Sequence, residues 1–438
     1  MNFPARMAAG ALLLFFCLSA NAQYTNWITG DSSDLVTQDY QSGLVLAGGG
    51  GDNDNAMIWM LERAGGGDVL VLRASGSDGY NDYFYSQLGV AVHSVETIRF
   101  DGPAAATDPY VLRRIEEAEV LFLAGGDQYD YYQYWKDSPV ETAINALLNE
   151  KQITVGGTSA GMAVLGEAYY TPSSLGVVSD EALSDPYHPY MDVIGKGDFL
   201  EAPYLQDLIT DTHFDQRERA GRTMTFLARI AEDWGVRGRG IAANEYTAIC
   251  VDESGTARAF GDYPEYEEDM VYFLQINCPE PFGPEICAPG QALHWLRDEQ
   301  AVKVYRAPAT PEGEHTFTLT DFLSGQGGFW EDWYVDQGQL WKLANATPPD
   351  CASVATHSPK PAGLPVRIAP NPCTDVLFVQ IEQEGVFELT ILHSSGVVAE
   401  RHILRAGKTL STAALPTGLY WLQVTDGQTR WVGHFVRI

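Results

Sequence analysis

Short apolar runs alternate with amphipathic stretches between residues 43 and 155. The apolar runs predict buried strands over residues 43–47, 68–73, 91–100, 119–124 and 153–155. Helical spacing of apolar residues predicts a helix over 108–117, and a capping box with proline at the first helical position predicts another from Ser138 to about residue 150. Strands that alternate with helices in this way are typical of an α/β fold with a parallel sheet.

Glycines accompany three of the predicted strands, at residues 48–51, 125–126 and 156–157. The first cluster does not fit a dinucleotide-binding G-x-G-x-x-G turn, because Asn53 occupies the last position. Ligands of open α/β sheets collect at the carboxyl ends of the strands. We therefore expect these glycines to form tight turns near an active site.

Residues 157–161 match the pattern G-x-S-x-G, with Ser159 at its centre. A predicted strand precedes the motif, and the run 162–165 can begin a helix. Strand, sharp turn and helix are the context of a nucleophile elbow, in which the serine hydroxyl projects above the sheet. In that turn the backbone N–H of Ala160 points towards a developing oxyanion.

A serine nucleophile needs a base and a group that orients the base. His213 lies in a dense polar stretch before an amphipathic helix, where Asp215 and Glu218 fit a D-x-x-E cap. Glu245 lies between two apolar stretches, so its carboxylate needs a polar partner. His213 is the partner that we expect.

Four ordered motifs, over residues 125–128, 156–162, 211–222 and 240–249, resemble the cyanophycinase and aspartyl-dipeptidase group of serine peptidases. The resemblance covers roughly residues 42–260 and extends more weakly to about 345. It implies a three-layer α/β sandwich with a mainly parallel sheet, related to class I glutamine amidotransferases. It also implies that Ser159 is the nucleophile, His213 the base and Glu245 the orienting acid, with the backbone of Gly126 and Ala160 as the oxyanion hole.

By the same resemblance, five residues hold the substrate: Gln128, Asp211, Arg217, Arg219 and Arg222. Arginines can bind substrate carboxylates bidentately, and Asp211 can accept a guanidinium or an ammonium group. The implied reaction is hydrolysis of Asp-containing peptides, such as cyanophycin or β-Asp-Arg dipeptides, through an acyl-enzyme and without a cofactor or metal. Thr212 and Glu218 stand where cyanophycinases usually have Gln and Gly, which leaves the substrate open.

Two other interpretations of the sequence compete with a serine peptidase of this group. An α/β-hydrolase esterase shares the G-x-S-x-G motif, but its triad runs in the order serine, acid, histidine. It would need a late base such as His294 or His315. The other alternative is a catalytically inactive surface binding protein on the same scaffold.

The two ends of the chain carry different signals. Residues 1–22 have the charged start, short apolar run and A-x-A site of a secretory signal peptide. Residues 23–345 form the predicted peptidase domain, with a predicted insertion near 262–298. The proline-rich composition of residues 346–365 predicts an extended linker.

Residues 366–438 predict a small all-β sandwich. The motifs at 369–373, 415–420 and 435–438 resemble the C-terminal sorting domain of type IX secretion cargo in Bacteroidetes. This resemblance implies a secreted or cell-surface protein whose partner is the type IX secretion machinery. A carbohydrate-binding or adhesion module is the alternative.

The net charge of the chain excludes one class of function. The 438 residues carry a net charge of −31, but residues 366–438 contain six basic and six acidic residues, so all of that excess lies upstream of them. Such a negative field excludes general nucleic-acid binding.

Cys278 and Cys287 flank a turn-rich loop and are predicted to form a local disulfide, while Cys250 is expected to be a buried thiol. Nothing in the sequence decides between a monomer and a homodimer.

Overall fold

The computed structural model describes residues 23–351, 366–369, 373–381, 385–393, 398–405, 408–425 and 430–437. The predicted signal peptide and residues 352–365 of the predicted linker lie outside the described residues. The chain divides into two compact units between Val354 and Ala355. Each unit is described by itself.

The first unit contains eighteen strands and eight α-helices among its described residues. The strands are β1 (Tyr24–Gly30), β2 (Gly43–Ala47), β3 (Asp68–Arg73), β4 (Ser94–Phe100), β5 (Val120–Leu123), β6 (Thr154–Thr158), β7 (Ala168–Tyr170), β8 (Ile194–Lys196), β9 (Leu208–Asp211), β10 (Arg239–Ala243), β11 (Ala248–Asp252), β12 (Thr256–Phe260), β13 (Met270–Ile276), β14 (Val302–Pro308), β15 (Thr316–Thr318), β16 (Gly325–Gln326), β17 (Phe329–Asp336) and β18 (Gln339–Ala344). The helices are α1 (Asp54–Glu62), α2 (Gly79–Asp82), α3 (Pro109–Glu117), α4 (Gln128–Trp135), α5 (Pro139–Ala146), α6 (Ala160–Ala163), α7 (Ser179–Ser184) and α8 (Ala220–Trp234).

The first sheet has ten strands in the order β1-β4-β3-β5-β6-β2-β11-β12-β15-β16. The five strands from β4 to β2 are parallel, and they are the five strands that the apolar runs predict. The remaining neighbours pair antiparallel. Every residue of β2, β5 and β6 is buried, as expected of strands covered on both faces. The predicted α/β class is confirmed.

The second sheet has eight strands in the order β18-β17-β14-β13-β10-β9-β7-β8. Only β7, β9 and β10 run parallel, and the other neighbours are antiparallel. Strand β13 falls within the segment 262–298 that was predicted as an insertion. Because β13 pairs with both β10 and β14, this segment contributes a central strand and not only surface loops.

Alternating side chains give each sheet two apolar faces. On one face of the first sheet, Val45 and its neighbours pack against Met60 of α1. On the other face, Leu46 belongs to a larger cluster that includes Ile144 of α5 and Phe273 of the second sheet. Helix α8 packs with the remaining face of the second sheet. The catalytic candidates therefore lie on a rigid, fully packed scaffold.

The predicted pairing of Cys278 with Cys287 is wrong. Cys278 instead bonds to Cys351, with their Cα atoms 5.1 Å apart and 73 positions between them in sequence. After β14 the chain passes through β15 and β16 of the first sheet and returns through β17 and β18 of the second sheet before it reaches Cys351. Closeness in sequence therefore does not decide the partner of Cys278. Cys287 is a free thiol that packs against the cluster around α8. Cys250 is a buried thiol, as predicted.

The second unit contains seven strands: β19 (Val366–Ala369), β20 (Val376–Ile381), β21 (Val386–His393), β22 (Val398–Arg405), β23 (Lys408–Ser411), β24 (Gly418–Thr425) and β25 (Arg430–Arg437). They form two antiparallel sheets, β19-β20-β23 and β22-β21-β24-β25. Leu377, Leu389, Leu422 and Phe435 are buried in a common core. The predicted small all-β unit is confirmed, although residues 370–372 of its first motif lie outside the described residues. None of the described helices, in either unit, has the length and apolar character needed to cross a bilayer.

Candidate active site

The three triad candidates lie just beyond the carboxyl ends of three strands. Ser159 directly follows β6 of the first sheet. His213 lies two positions after the end of β9 in the second sheet, and Glu245 lies two positions after the end of β10, the parallel neighbour of β9. The chain then crosses from β10 in the second sheet to β11 in the first. The candidate site therefore lies where the two sheets meet, at the strand ends where ligands collect in α/β folds.

Ser159 occupies a sharp turn between β6 and α6. Its φ of 51° and ψ of −113° lie where residues with a side chain are rarely found. The flanking glycines make the turn possible, because a Cβ on Gly157 would lie 2.5 Å from the backbone of Gly161. A Cβ on Gly161 would lie 1.9 Å from the carbonyl oxygen of Leu123. This geometry is that of the nucleophile elbow predicted by the motif.

Two short contacts connect the three side chains. Ser159 Oγ lies 2.8 Å from His213 Nε2, and His213 Nδ1 lies 2.6 Å from Glu245 Oε1. His213 itself has a φ of 46° and is buried, whereas the Glu245 side chain is about one quarter exposed. With Nδ1 donating to the carboxylate, Nε2 is left to accept the serine proton. The arrangement can therefore generate a serine nucleophile.

The surroundings of His213 favour its neutral form. Burial lowers the pKa of His213 below its usual 6.5, and the hydrogen bond with Glu245 acts in the opposite direction. The guanidinium groups of Arg217 and Arg219 lower the pKa of His213 further. A neutral imidazole at neutral pH is the state that a general base requires.

A small pocket opens beside Ser159. Eight of the predicted site residues line it: Gly126, Gln128, Ser159, Asp211, His213, Arg217, Arg219 and Arg222. Ala160, the other predicted oxyanion residue, is buried at the start of α6. Tyr170, Thr210 and Phe226 also line the pocket and carried no distinguishing signal in the sequence. Glu218 is exposed and is not among the residues lining the pocket.

Asp211 and Arg222 form a buried ion pair in the wall of this pocket. Arg222 Nε donates to Asp211 Oδ2 at 2.9 Å, Arg222 Nη2 donates to Oδ1, and Thr223 Oγ1 donates to Oδ2 at 2.6 Å. Burial alone would raise the pKa of Asp211, but the Arg222 guanidinium outweighs it and holds that pKa below its usual range. Since both oxygens of Asp211 already accept hydrogen bonds from the protein, the carboxylate has little capacity left for a ligand.

Arg219 is less completely paired than Arg222. Its Nη1 donates to the carbonyl oxygen of Thr212 at 2.8 Å and to the Thr212 hydroxyl at 3.1 Å, and it lies 3.6 Å from Asp211 Oδ1. Burial, reinforced by the neighbouring Arg222, lowers the pKa of Arg219 to about 10. The group remains cationic at neutral pH, so an anion in the pocket would relieve its cost of burial.

Sequence reasoning missed a polar network behind the triad. Asn244 is fully buried; its Nδ2 donates to Asp215 Oδ2 at 3.0 Å, and its Oδ1 accepts from the N–H of Asp215 at 3.0 Å. Tyr272 also donates to Asp215. The expected D-x-x-E cap is therefore wrong: α8 begins at Ala220 with Arg219 as its N-cap, and Asp215 joins the loops that carry His213 and Glu245. Asn244 lies within the motif over residues 240–249, but nothing in that motif pointed to Asp215 as its partner.

The histidines required by the esterase alternative have other partners. His294 Nδ1 lies 3.3 Å from a carboxylate oxygen of Asp336, and His315 Nδ1 lies 2.8 Å from the carbonyl oxygen of Pro308. Ser159 faces His213 instead, in the chain order serine, histidine, glutamate. Among the described residues, no group of histidine, cysteine or acidic side chains is arranged to hold a metal ion.

Serine, histidine and glutamate in hydrogen-bond contact at the strand ends of an α/β scaffold form an arrangement of the kind found in serine hydrolases. Comparison with known families agrees, since residues 74–257 match the family described as Peptidase family S51. Residues 367–437 match the family described as Secretion system C-terminal sorting domain, which indicates export. Both matches agree with the resemblances that the motifs predicted, to the cyanophycinase group of serine peptidases and to C-terminal sorting domains.

Several similar proteins carry the name cyanophycinase. The one from Synechococcus elongatus is 27% identical over 231 residues, which cover 50% of this chain and 66% of that protein. The one from Geminocystis herdmanii is 30% identical over 122 residues, covering 28% of this chain and 40% of that protein. This chain thus spans less than two thirds of the length of these relatives. A solved structure of a peptidase from an acI-B1 Actinobacterium aligns with 51% of this chain and 89% of its own at 15% identity, and its TM-score of 0.39 is too low to establish a shared fold.

The lowered pKa of His213 leads to a first prediction. Labelling of Ser159 by a fluorophosphonate probe should fail as the pH falls, with a midpoint below 6.5, because the imidazole must be neutral to accept the serine proton. Arg217→Gln should raise that midpoint, since one cation that disfavours imidazolium is removed. The matched control is Arg113→Gln, on the exposed face of α3, which should leave the midpoint unchanged. An unchanged midpoint in Arg217→Gln would contradict the electrostatic explanation.

Proposed function

We propose that this chain is an exported serine peptidase that hydrolyses Asp-containing peptides, with cyanophycin or β-Asp-Arg dipeptides as the substrate type. One observation carries the proposal: the contacts from Ser159 through His213 to Glu245 end beside a pocket rich in arginine. The first feature supplies a nucleophile and the second supplies charge for a substrate carboxylate. The similarity to proteins named cyanophycinase supports the same substrate class.

In the proposed acylation step, His213 Nε2 takes the proton from Ser159 Oγ as Oγ attacks the peptide carbonyl carbon. Glu245 stabilises the imidazolium that forms, because its carboxylate already accepts from Nδ1. The carbonyl oxygen becomes an oxyanion, and the backbone N–H groups of Gly126 and Ala160 are the donors proposed for it. His213 then returns the proton to the leaving amine, the C–N bond breaks and an acyl-enzyme remains.

Deacylation uses the same groups in the same order. His213 takes a proton from a water molecule, whose oxygen attacks the ester carbonyl of the acyl-enzyme. Collapse of the second tetrahedral intermediate returns the proton to Ser159 Oγ and releases the acid. Each cycle leaves the protein unchanged and consumes one water, so the reaction needs no group beyond those at the site.

Substrate selection is proposed to rest on Arg219 and Arg217. Arg222 is neutralised by Asp211 within the protein, so its proposed role is to hold the pocket wall and not to bind substrate directly. Arg219 remains cationic and only partly paired, and the exposed Arg217 lies on the same pocket. An aspartate carboxylate of the substrate would therefore be bound there, next to the scissile bond.

The proposed triad gives a direct test. Ser159→Ala should abolish hydrolysis in a folded protein, and Glu245→Gln should lower kcat by roughly 100- to 10,000-fold while leaving KM nearly unchanged, since a carboxamide cannot stabilise the imidazolium. His294→Ala and His315→Ala serve as controls and should keep the wild-type rate. Steady-state hydrolysis of β-Asp-Arg by all four variants decides the matter, and a fully active Ser159→Ala protein would end the serine-peptidase proposal.

The pocket gives a second test, on substrate preference. Wild-type protein should hydrolyse a peptide with Asp on the acyl side roughly 10- to 100-fold better, in kcat/KM, than the matched Asn peptide, because a charge-assisted hydrogen bond is lost with the carboxylate. Arg219→Gln should remove most of that preference by slowing the Asp peptide. Arg113→Gln is again the control. Equal Asp-to-Asn ratios in wild type and Arg219→Gln would assign substrate binding elsewhere.

Export by the type IX machinery, with residues 1–22 as signal peptide and residues 366–438 as sorting domain, is the localisation that we propose. Deletion of residues 366–438 should leave the hydrolytic rate of the purified protein unchanged, because the site is built entirely within the first unit. The same deletion should retain the protein inside the cell, as fractionation and immunodetection would reveal. A truncated chain that still reaches the surface or the medium would refute the sorting role.

A further inference from the structure

The segment Gly48–Gly51, here called the glycine strap, joins β2 to α1 in the middle of the candidate site. Strand β2 pairs with β6 on one side and with β11 on the other. Ser159 directly follows β6, and the turn that contains Glu245 directly precedes β11. The strap therefore leaves the sheet between the segments that carry two of the three triad candidates.

Three consecutive backbone carbonyls at this point bind the three triad segments. The carbonyl of Ala47 accepts from the N–H of Ser159 at 3.0 Å, and that of Gly48 accepts from the N–H of His213 at 2.8 Å. The carbonyl of Gly49 accepts from the N–H of Tyr246, the neighbour of Glu245, at 2.9 Å. One short stretch of backbone thus sets the order and spacing of segments that lie more than 100 residues away in sequence.

The side chains of the triad also approach the strap too closely for any residue but glycine. At Gly49, whose φ is +95°, a Cβ would lie 2.5 Å from His213 Cε1 and 2.7 Å from His213 Nε2. At Gly50, whose φ is +78°, a Cβ would lie 2.8 Å from Glu245 Cβ and 3.0 Å from its Oε2. Carbon atoms do not approach so closely, so either side chain would have to move.

We propose that Gly49 and Gly50 are positioning residues of the triad, and that the strap forms the wall against which the His213 ring and the Glu245 carboxylate are held. This inference rests on the proposed function. The two contacts of 2.8 and 2.6 Å that connect the triad leave little tolerance for movement of either side chain. The bare backbone of the strap fills the space that a displaced ring or carboxylate would otherwise occupy.

The chain provides a matched control at Gly66. Its φ of +79° is almost that of Gly50, but nothing lies within 4 Å of the position that its Cβ would take. Gly50→Ala and Gly66→Ala therefore introduce the same residue at almost the same positive φ, where any side chain is disfavoured. They differ in whether the added methyl group meets the triad.

The experiment compares full-length wild type, Gly50→Ala and Gly66→Ala in hydrolysis of β-Asp-Arg, together with thermal unfolding of each protein. Gly50→Ala should lower kcat roughly 100-fold with KM changed less than about twofold, since displacing a catalytic group by about 1 Å has effects of that size. Gly66→Ala should keep the wild-type kcat, with a Tm shift similar to that of Gly50→Ala. Equal kcat values for the two variants would overturn the proposal.

Gly49→Ala supplies a readout that a structural role alone would not move. Because its methyl group meets the imidazole, the midpoint of the pH dependence of fluorophosphonate labelling should shift as well as the rate, whereas Gly66→Ala should retain the wild-type midpoint. If Gly49→Ala and Gly50→Ala both fail to fold while Gly66→Ala folds, the strap is structural and the positioning role is refuted. An inactive wild type would instead refute the proposed function, so the two failures are distinguishable.

Discussion

A hydrogen bond acts over about 3 Å, and the first unit must satisfy that limit between side chains that belong to different sheets. Ser159 is fixed to the first sheet by its position after β6, whereas His213 and Glu245 follow two strands of the second sheet. The relative placement of the sheets, and the crossing of the chain from β10 to β11, are therefore constrained by the site as well as by core packing. The strained conformations of Ser159 and His213 occur at this junction, where the surrounding structure is able to impose them.

Electrostatics at the site oppose those of the chain as a whole. A chain with a net charge of −31 contains a pocket that is lined by three arginines and a single acidic residue. Only one of these arginines is neutralised in place, by a carboxylate that is itself 2% exposed. Burial lowers the pKa of His213, and the positive charge of Arg217 and Arg219 lowers it further. The same arginines would attract the carboxylate of the proposed substrate.

The sequence predicted those parts of the molecule that depend on local patterns. Apolar runs located the five parallel strands, and the spacing around Ser159 identified an elbow whose glycines are required by backbone contacts. The motifs also pointed to His213, Glu245 and the arginines as site residues, and all of them lie around Ser159.

The features that could not be predicted depend on the path of the chain in space. The partner of Cys278 lies beyond five strands. The role of Asp215 depends on Asn244, which is distant in sequence, and the motif that contains Asn244 does not reveal this contact. The antiparallel strands of the second sheet were not predicted either. Strand β13, for example, is buried over its whole length, and a short apolar run does not by itself distinguish a buried strand from a buried helical segment.

The bond between Cys278 and Cys351 bears on when the domain can be completed. Residue 351 is among the last of the first unit to leave the ribosome, and it pairs with a cysteine made 73 residues earlier. Closure must therefore wait until every strand of both sheets has been synthesised. It must also wait for an oxidising compartment, because thiols remain reduced in the cytosol. Until then the nascent domain has no covalent crosslink at this position, and the strands from β14 to β18 are joined to the rest of the domain by the backbone alone.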